Sequence, residues 1–264
     1  MITRSPKNVR YGWLGLALLG LFSLLLGGGK AHAASDVVVM IHGAGGGGWE
    51  YDRWRPIFAH NGWKVIALDL VPVSGGLEAT HFDDYVKQVL EWIPVRRKKL
   101  VIVGASMGGV LALKVAEKVP VDALILVNSA PPLGVGPARI SKTYPPVIRW
   151  ANGPIEDTRA SLPDGDEATV RWAHPKWRDE AGSVLNALRQ GVPIQSTRVP
   201  TLAVLGGKDT DVPLETGLAL AIWAHADIHL YAEASHIGPL YGLRAKEIAS
   251  ASMLWLRAVL KQSK

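Results

Sequence analysis

Beyond residue 34 the chain falls into short apolar runs separated by stretches of helical periodicity. Residues 37–41 (Val-Val-Val-Met-Ile, after Asp36) and 100–103 (Leu-Val-Ile-Val) are apolar without interruption. This is the pattern of a parallel strand covered on both faces, which needs no polar alternation. Similar runs at 63–68, 123–128, 201–206 and 227–231 bring the series to six predicted strands. Helical spacing between them predicts a helix over 50–61, with Trp54, Ile57 and Phe58 on one side and Gly62 as its stop. A second covers 81–92, with Phe82, Tyr85, Val86, Val89 and Leu90 spaced for burial, and others follow at 110–117, 214–225 and 244–261. Strands alternating with helices predict an α/β fold built on a doubly wound, mostly parallel sheet.

The alternation lapses between 131 and 200. Prolines at 131, 132, 137, 145, 146, 154, 163, 175, 193 and 200 break any long element there, and tryptophans stand at 150, 172 and 177. A segment of this length is too long for a simple loop, so short helices of its own are expected. Within it, 171–178 is basic and aromatic (Trp172, His174, Trp177). Packing on the core is the favoured reading of that stretch, and contact with a membrane or an anionic ligand is the other. The run Arg96-Arg97-Lys98-Lys99 reads as a solvated turn.

The first 33 residues change the picture of charge. Arg4, Lys7 and Arg10 precede an uncharged apolar stretch, 11–29, which leads to Ala31-His32-Ala33. This is the order of a secretory signal peptide cleaved before Ala34, so the expectation is an exported, periplasmic or secreted protein. The nineteen-residue apolar stretch is also close to spanning length, which keeps an uncleaved membrane anchor as the alternative. Four basic residues and no acid lie before Ala34, so the formal charge of +6 belongs largely to this segment. The remainder holds 25 basic against 23 acidic residues and gives no electrostatic reason to expect nucleic acid. The absence of cysteine excludes disulfides, a thiol nucleophile and Cys-ligated metal.

Chemistry concentrates at Gly104-Ala105-Ser106-Met107-Gly108, between the 100–103 strand and the 110–117 helix. Alone, this pattern could be a tight turn. In a strand-to-helix junction the glycines permit close approach, while the serine is left exposed at the carboxyl end of the sheet. Here the sequence resembles the α/β-hydrolase superfamily. The resemblance implies an α/β-hydrolase domain over 34–264, a cap or lid insertion at 131–200, and catalysis by Ser106. It also implies a triad acid after the 201–206 strand, where Asp209 fits the family's Asp-x-x-Val-Pro turn and Asp211 is the alternative. His236, in Ala234-Ser235-His236 after the last strand, matches the catalytic imidazole.

The glycine run in His42-Gly43-Ala44-Gly45-Gly46-Gly47-Gly48 could by itself cradle a phosphate. No Gly-x-Gly-x-x-Gly opening with a downstream ribose acid and no Gly-Lys-Ser/Thr accompanies it. By resemblance, the Ala44 and Met107 N–H groups form an oxyanion hole. His42 is expected to be a structural hydrogen-bonder, Asp69 a turn-former and His229 a strand-face residue.

Two departures from the family stand out. The two-strand hairpin that usually opens the fold is missing, and the Asp-x-x-Gly-x-Gly loop is replaced by Asp69-Leu70-Val71-Pro72-Val73-Ser74-Gly75-Gly76. The resulting expectation is an exported serine hydrolase that cleaves small carboxylic esters through an acyl-enzyme on Ser106. No cofactor and no metal are implied, and membrane contact is limited to an uncleaved N-terminal segment or the cap. The same triad could instead cleave amide, thioester or carbon–carbon bonds or carry out perhydrolysis, and the fold could serve as a non-catalytic binding protein.

Overall fold

The computed structural model describes residues 34–137, 143–195 and 198–262. The expectation of a signal peptide or anchor falls on residues 1–33, outside the described residues. Among the described residues, no helix is long and apolar enough to cross a membrane.

Six strands form one sheet: β1 (Ser35–Ile41), β2 (Lys64–Ile66), β3 (Arg97–Ala105), β4 (Ala123–Val127), β7 (Thr201–Gly206) and β8 (Asp227–Tyr231). Their order is β2-β1-β3-β4-β7-β8 and every pairing is parallel. The predicted six-stranded α/β architecture is therefore what forms, without an opening hairpin among the described residues. The apolar runs of β1, β3, β4 and β7 are buried on both faces, whereas the edge strands β2 and β8 are partly exposed. Val38, Met40, Val101 and Val103 pack with Phe58 of α1 (Arg55–His60) and Leu256 of α9 (Ala245–Gln262). Val37, Val39, Ile41, Leu100 and Ile102 face the opposite layer, with Val86 and Val89 of α2 (Phe82–Trp92) and Val110 of α3 (Met107–Ala116). Fully burying such a side chain stabilises the fold by about 1.5–3 kcal/mol.

Local chemistry explains where boundaries differ from the sequence pattern. The expected 50–61 helix is split into a 3₁₀ turn, Gly48–Tyr51, and α1. Pro56 has no N–H to give to the preceding turn, so the helix cannot continue through it. The 63–68 strand contracts to Lys64–Ile66 at the sheet edge, where Arg55 Nη2 takes the Ala67 carbonyl at 2.8 Å. In α2, His81 is the cap rather than the first helical residue, with Asp84 Oδ2 accepting its N–H at 2.9 Å.

The 131–200 segment contains α4 (Ile155–Ser161), α5 (Glu167–Ala173) and α6 (Gly182–Gln190). It also holds a two-residue antiparallel pair, β5 (Val147–Ile148) with β6 (Glu180–Ala181), too short for any alternation to show. Helix α7 (Leu214–Trp223) lies between β7 and β8. A four-residue helix not expected from the pattern, α8 (Gly238–Tyr241), follows the 234–236 turn.

Candidate active site

Ser106 caps α3 with φ 51° and ψ −117°, a backbone conformation that L-residues rarely adopt. Its N–H donates to Val127 O at 3.0 Å, and its carbonyl accepts from Gly109 and Ala130, each at 3.1 Å. The flanking glycines are required by contact. A β-carbon on Gly104 would stand 2.2 Å from Gly108 O, and one on Gly108 would stand 2.2 Å from Ile41 O. Strand, turn and helix are thus pressed together, and the serine is held at the carboxyl end of β3.

His236 and Asp209 meet in space from the turns after β8 and β7. His236 Nδ1 and Asp209 Oδ2 are 2.8 Å apart. The other Asp209 oxygen accepts the N–H groups of Asp211 and Val212 at 2.9 and 2.8 Å. Burial pulls the His236 pKa down, but the Asp209 hydrogen bond and the charges of Asp209, Asp211 and Glu50 outweigh it and leave it above the usual value. Asp211 lies on the other side of the ring, with Oδ2 3.9 Å from Nε2, and 69% of its side chain is exposed. Of the two candidate acids, Asp209 therefore holds Nδ1.

Ser106, His236, Asp211, Gly43 and Ala44 line one cavity of about 510 Å³. The 131–200 segment completes its wall with Trp150, Asp157, His174 and Trp177 among others. Among the described residues, the Ala44 N–H and the Met107 N–H, first in α3, have no backbone acceptor.

The remaining expectations on single residues find clear places. His42 is fully buried; Nε2 accepts the Leu70 N–H at 2.9 Å and Nδ1 is 2.7 Å from Gly43 O. Burial pushes its pKa down to about 4, so it is a neutral brace beneath the glycine loop. Asp69 Oδ1 accepts the Gly48 N–H at 2.7 Å. His229 stays in β8, in register with Val204, and does not line the cavity. From the basic, aromatic stretch, Trp172 and Trp177 pack edge-on against Trp49, and Lys176 lies over the Trp172 ring.

Several residues that shape the site carry no motif. Arg178 donates from its backbone N–H to Gly45 O at 2.8 Å, from Nε to Gly46 O at 2.7 Å, and from Nη1 to Leu70 O at 3.1 Å. Glu180, 3% exposed, accepts the Gly45 N–H on Oε2 at 3.0 Å and the Tyr85 hydroxyl on Oε1 at 2.7 Å. Glu50, 2% exposed, accepts the Gly43 N–H at 3.0 Å. Asp164 takes the Ser235 hydroxyl at 2.6 Å and so holds the loop that carries His236.

Asn128, at φ 42°, joins three elements. Its Nδ2 donates to Ser235 O at 3.1 Å and His236 O at 2.8 Å, while Oδ1 accepts the Gly206 N–H at 2.7 Å. Asn128→Ala leaves these buried groups unpaired and is expected to lower unfolding stability by about 3 kcal/mol in urea denaturation. A loss within about 0.5 kcal/mol would mean the three bonds are replaced on relaxation.

Comparison with known proteins bears on the fold and the family. The chain is 29% identical over 208 residues, 68% of its length, to the 2-hydroxy-6-oxo-6-(2'-aminophenyl)hexa-2,4-dienoic acid hydrolase of Metapseudomonas resinovorans, of which it covers 70%. The crystal structure of a pyrethroid hydrolase from Sphingobium faniae JZ-2 superposes with a TM-score of 0.65 at 19% identity, covering 83% of this chain and 97% of that one. A methylesterase from Arabidopsis gives 0.62 at 18% identity, covering 85% and 98%. These likenesses are of fold. The sequence profile described as the Alpha/beta hydrolase family matches residues 38–251, from β1 into α9, and the chain belongs to that family.

Proposed function

We propose that the protein is an exported serine hydrolase that cleaves neutral carboxylic esters. The observation that carries this reading is the 2.8 Å contact between His236 Nδ1 and Asp209, beside a serine held at positive φ in the same cavity. Asp209 fixes the tautomer that leaves Nε2 free to accept a proton. Nε2 takes the Ser106 hydroxyl proton as Oγ attacks the ester carbonyl, and the Ala44 and Met107 N–H groups receive the oxyanion. The imidazolium then returns the proton to the departing alcohol, and water releases the acid by the same route.

The charge of the cavity supports a neutral ester. Asp157 and Asp211 line it, and Arg149 is already paired with Asp179 at 2.6 Å. A free carboxylate on the substrate would meet like charge there. In this respect the site differs from what the name of the dienoic acid hydrolase describes for that protein. Export rests on the N-terminal pattern alone.

The test is a panel of p-nitrophenyl esters from acetate to palmitate. Turnover should peak at short acyl chains, because the cavity must hold acyl and leaving group together, and pre-steady-state mixing should show a stoichiometric burst of p-nitrophenol. No turnover and no burst across the panel would overturn the ester reading.

A further inference from the structure

Glu50 follows Trp49 in the 3₁₀ turn after the glycine loop and lines the same cavity as Ser106 and His236. A β-carbon placed on Gly43 would stand 3.5 Å from Ser106 Cβ and 3.8 Å from each Glu50 carboxyl oxygen, so serine and carboxyl flank a single residue of backbone. Oε2 accepts the Gly43 N–H, and among the described residues no hydrogen-bond partner is found for Oε1. Oε1 opens on the cavity rather than being sealed without a partner, and a carboxylic acid there has a proton to offer.

The surrounding groups set the balance. Burial drives the pKa of Glu50 up to about 7. The Gly43 N–H, His236 and Arg178 pull it down, and Asp69 pushes it up. The Tyr51 and Tyr241 hydroxyls also stand within its electrostatic reach.

We propose that Glu50 works as a neutral carboxylic acid beside the oxyanion turn, its Oε2 bracing Gly43 and its Oε1–H donating a hydrogen bond to the bound acyl group. This rests on Ser106 being the nucleophile. Ionisation removes the donor and sets negative charge beside the oxygen that becomes the oxyanion. The same charge would favour the imidazolium, but Asp209 and Asp211 both weigh more on His236 than Glu50 does. Loss of the donor therefore decides the sign, and ionised Glu50 slows the reaction. A protonated buried carboxyl used as a donor has precedent in other active sites.

The experiment follows the pH dependence of Ser106 labelling by an alkyl fluorophosphonate. In that reaction the Oγ–P bond forms, the P–F bond breaks, fluoride leaves and His236 takes the serine proton. The full chain is used, and intact mass together with peptide mapping reads the product. The wild-type rate should rise with pH as His236 loses its proton and fall above about 7 as Glu50 ionises, by about tenfold per pH unit.

Glu50→Gln keeps a carbonyl for Gly43 and a permanent N–H donor. It should abolish the alkaline limb and leave the acid limb in place, because a neutral Glu50 puts no charge beside His236 on that limb. Glu50→Leu should be slow at every pH. Glu50→Asp keeps a titrating group and should shift the alkaline limb rather than remove it, which preserves the test if Gln or Leu disturbs folding.

An alkaline limb that survives in Glu50→Gln, an Asp limb identical to wild type, or rapid labelling of Glu50→Leu would overturn the proposal. Failure of Ser106 to label at any pH would overturn it together with the nucleophile. Labelling needs no ester turnover, so a protein that labels as expected but cleaves no ester loses only the ester reading.

Discussion

Ser106→Ala should lower kcat/KM for p-nitrophenyl acetate by about 10⁴-fold or more, with little change in Tm. The expected loss is large because covalent attack has no substitute: the remaining oxyanion donors can only assist water. Folding should be spared because the backbone, not the hydroxyl, ties this residue in place, through Val127, Gly109 and Ala130. Alanine bears the same positive φ, so the strain of the turn is retained rather than relieved. Steady-state kinetics beside a thermal melt checks both halves. Equal rates in the two proteins would remove Ser106 from the chemistry.

The second large effect separates two neighbouring carboxylates. Asp209→Asn should cost about 10⁴-fold in kcat, because an amide facing Nδ1 can stabilise the wrong tautomer and cannot support the imidazolium. Asp211→Asn should cost only a few-fold, since its carboxylate is largely in water and stands 3.9 Å from Nε2. The pH profiles should move as well. Reaction needs the neutral imidazole, so activity is lost as pH falls through the raised His236 pKa. Removing Asp209 takes away the hydrogen bond and the nearest charge that raise it, and the acid limb should shift to lower pH. Kinetics of both variants between pH about 5 and 9 decides the matter. A reversed ranking would assign the acid to Asp211.

What could be read from the chain is what local pattern enforces. The four central runs give the middle of the sheet, because strands buried on both faces cannot carry polar side chains, while the edge strands β2 and β8 keep Lys64, Asp227 and His229. Ser106 was legible because its turn leaves no room for β-carbons at 104 and 108, so the glycines mark it in the sequence. Asp209 and His236 stand in short turns after strands, at places the family resemblance had already set.

The supporting residues were not legible. Glu180 and Gly45 are 135 residues apart, and Asn128 reaches across more than a hundred to the His236 turn. No periodicity announces such pairs. Glu50 was hidden in another way: the helix expected over 50–61 makes it an ordinary first-turn acid. The 3₁₀ turn actually formed aims it at Gly43 and the cavity instead.

The grip of Arg178 and Glu180 on the glycine loop has a consequence for local opening. Residues 43–46 lack regular structure, and a glycine-rich loop of that kind would ordinarily exchange its amide protons freely. Here the Gly43 N–H ends on Glu50 and the Gly45 N–H on Glu180, both buried carboxyl groups. Each such bond adds about 0.5–1.5 kcal/mol net, and all must break for the loop to open. The Gly43 and Gly45 amides should therefore exchange as slowly as the strands beneath them, as one cooperative unit with residues 178–181, while the Ala44 N–H facing the cavity exchanges faster. That half of the inserted segment belongs mechanically to the sheet domain. Trp150, whose N–H is bonded to Asp179 and whose ring lies on Gly45, moves with that unit, so breathing that admits substrate would be confined to α4, around Asp157.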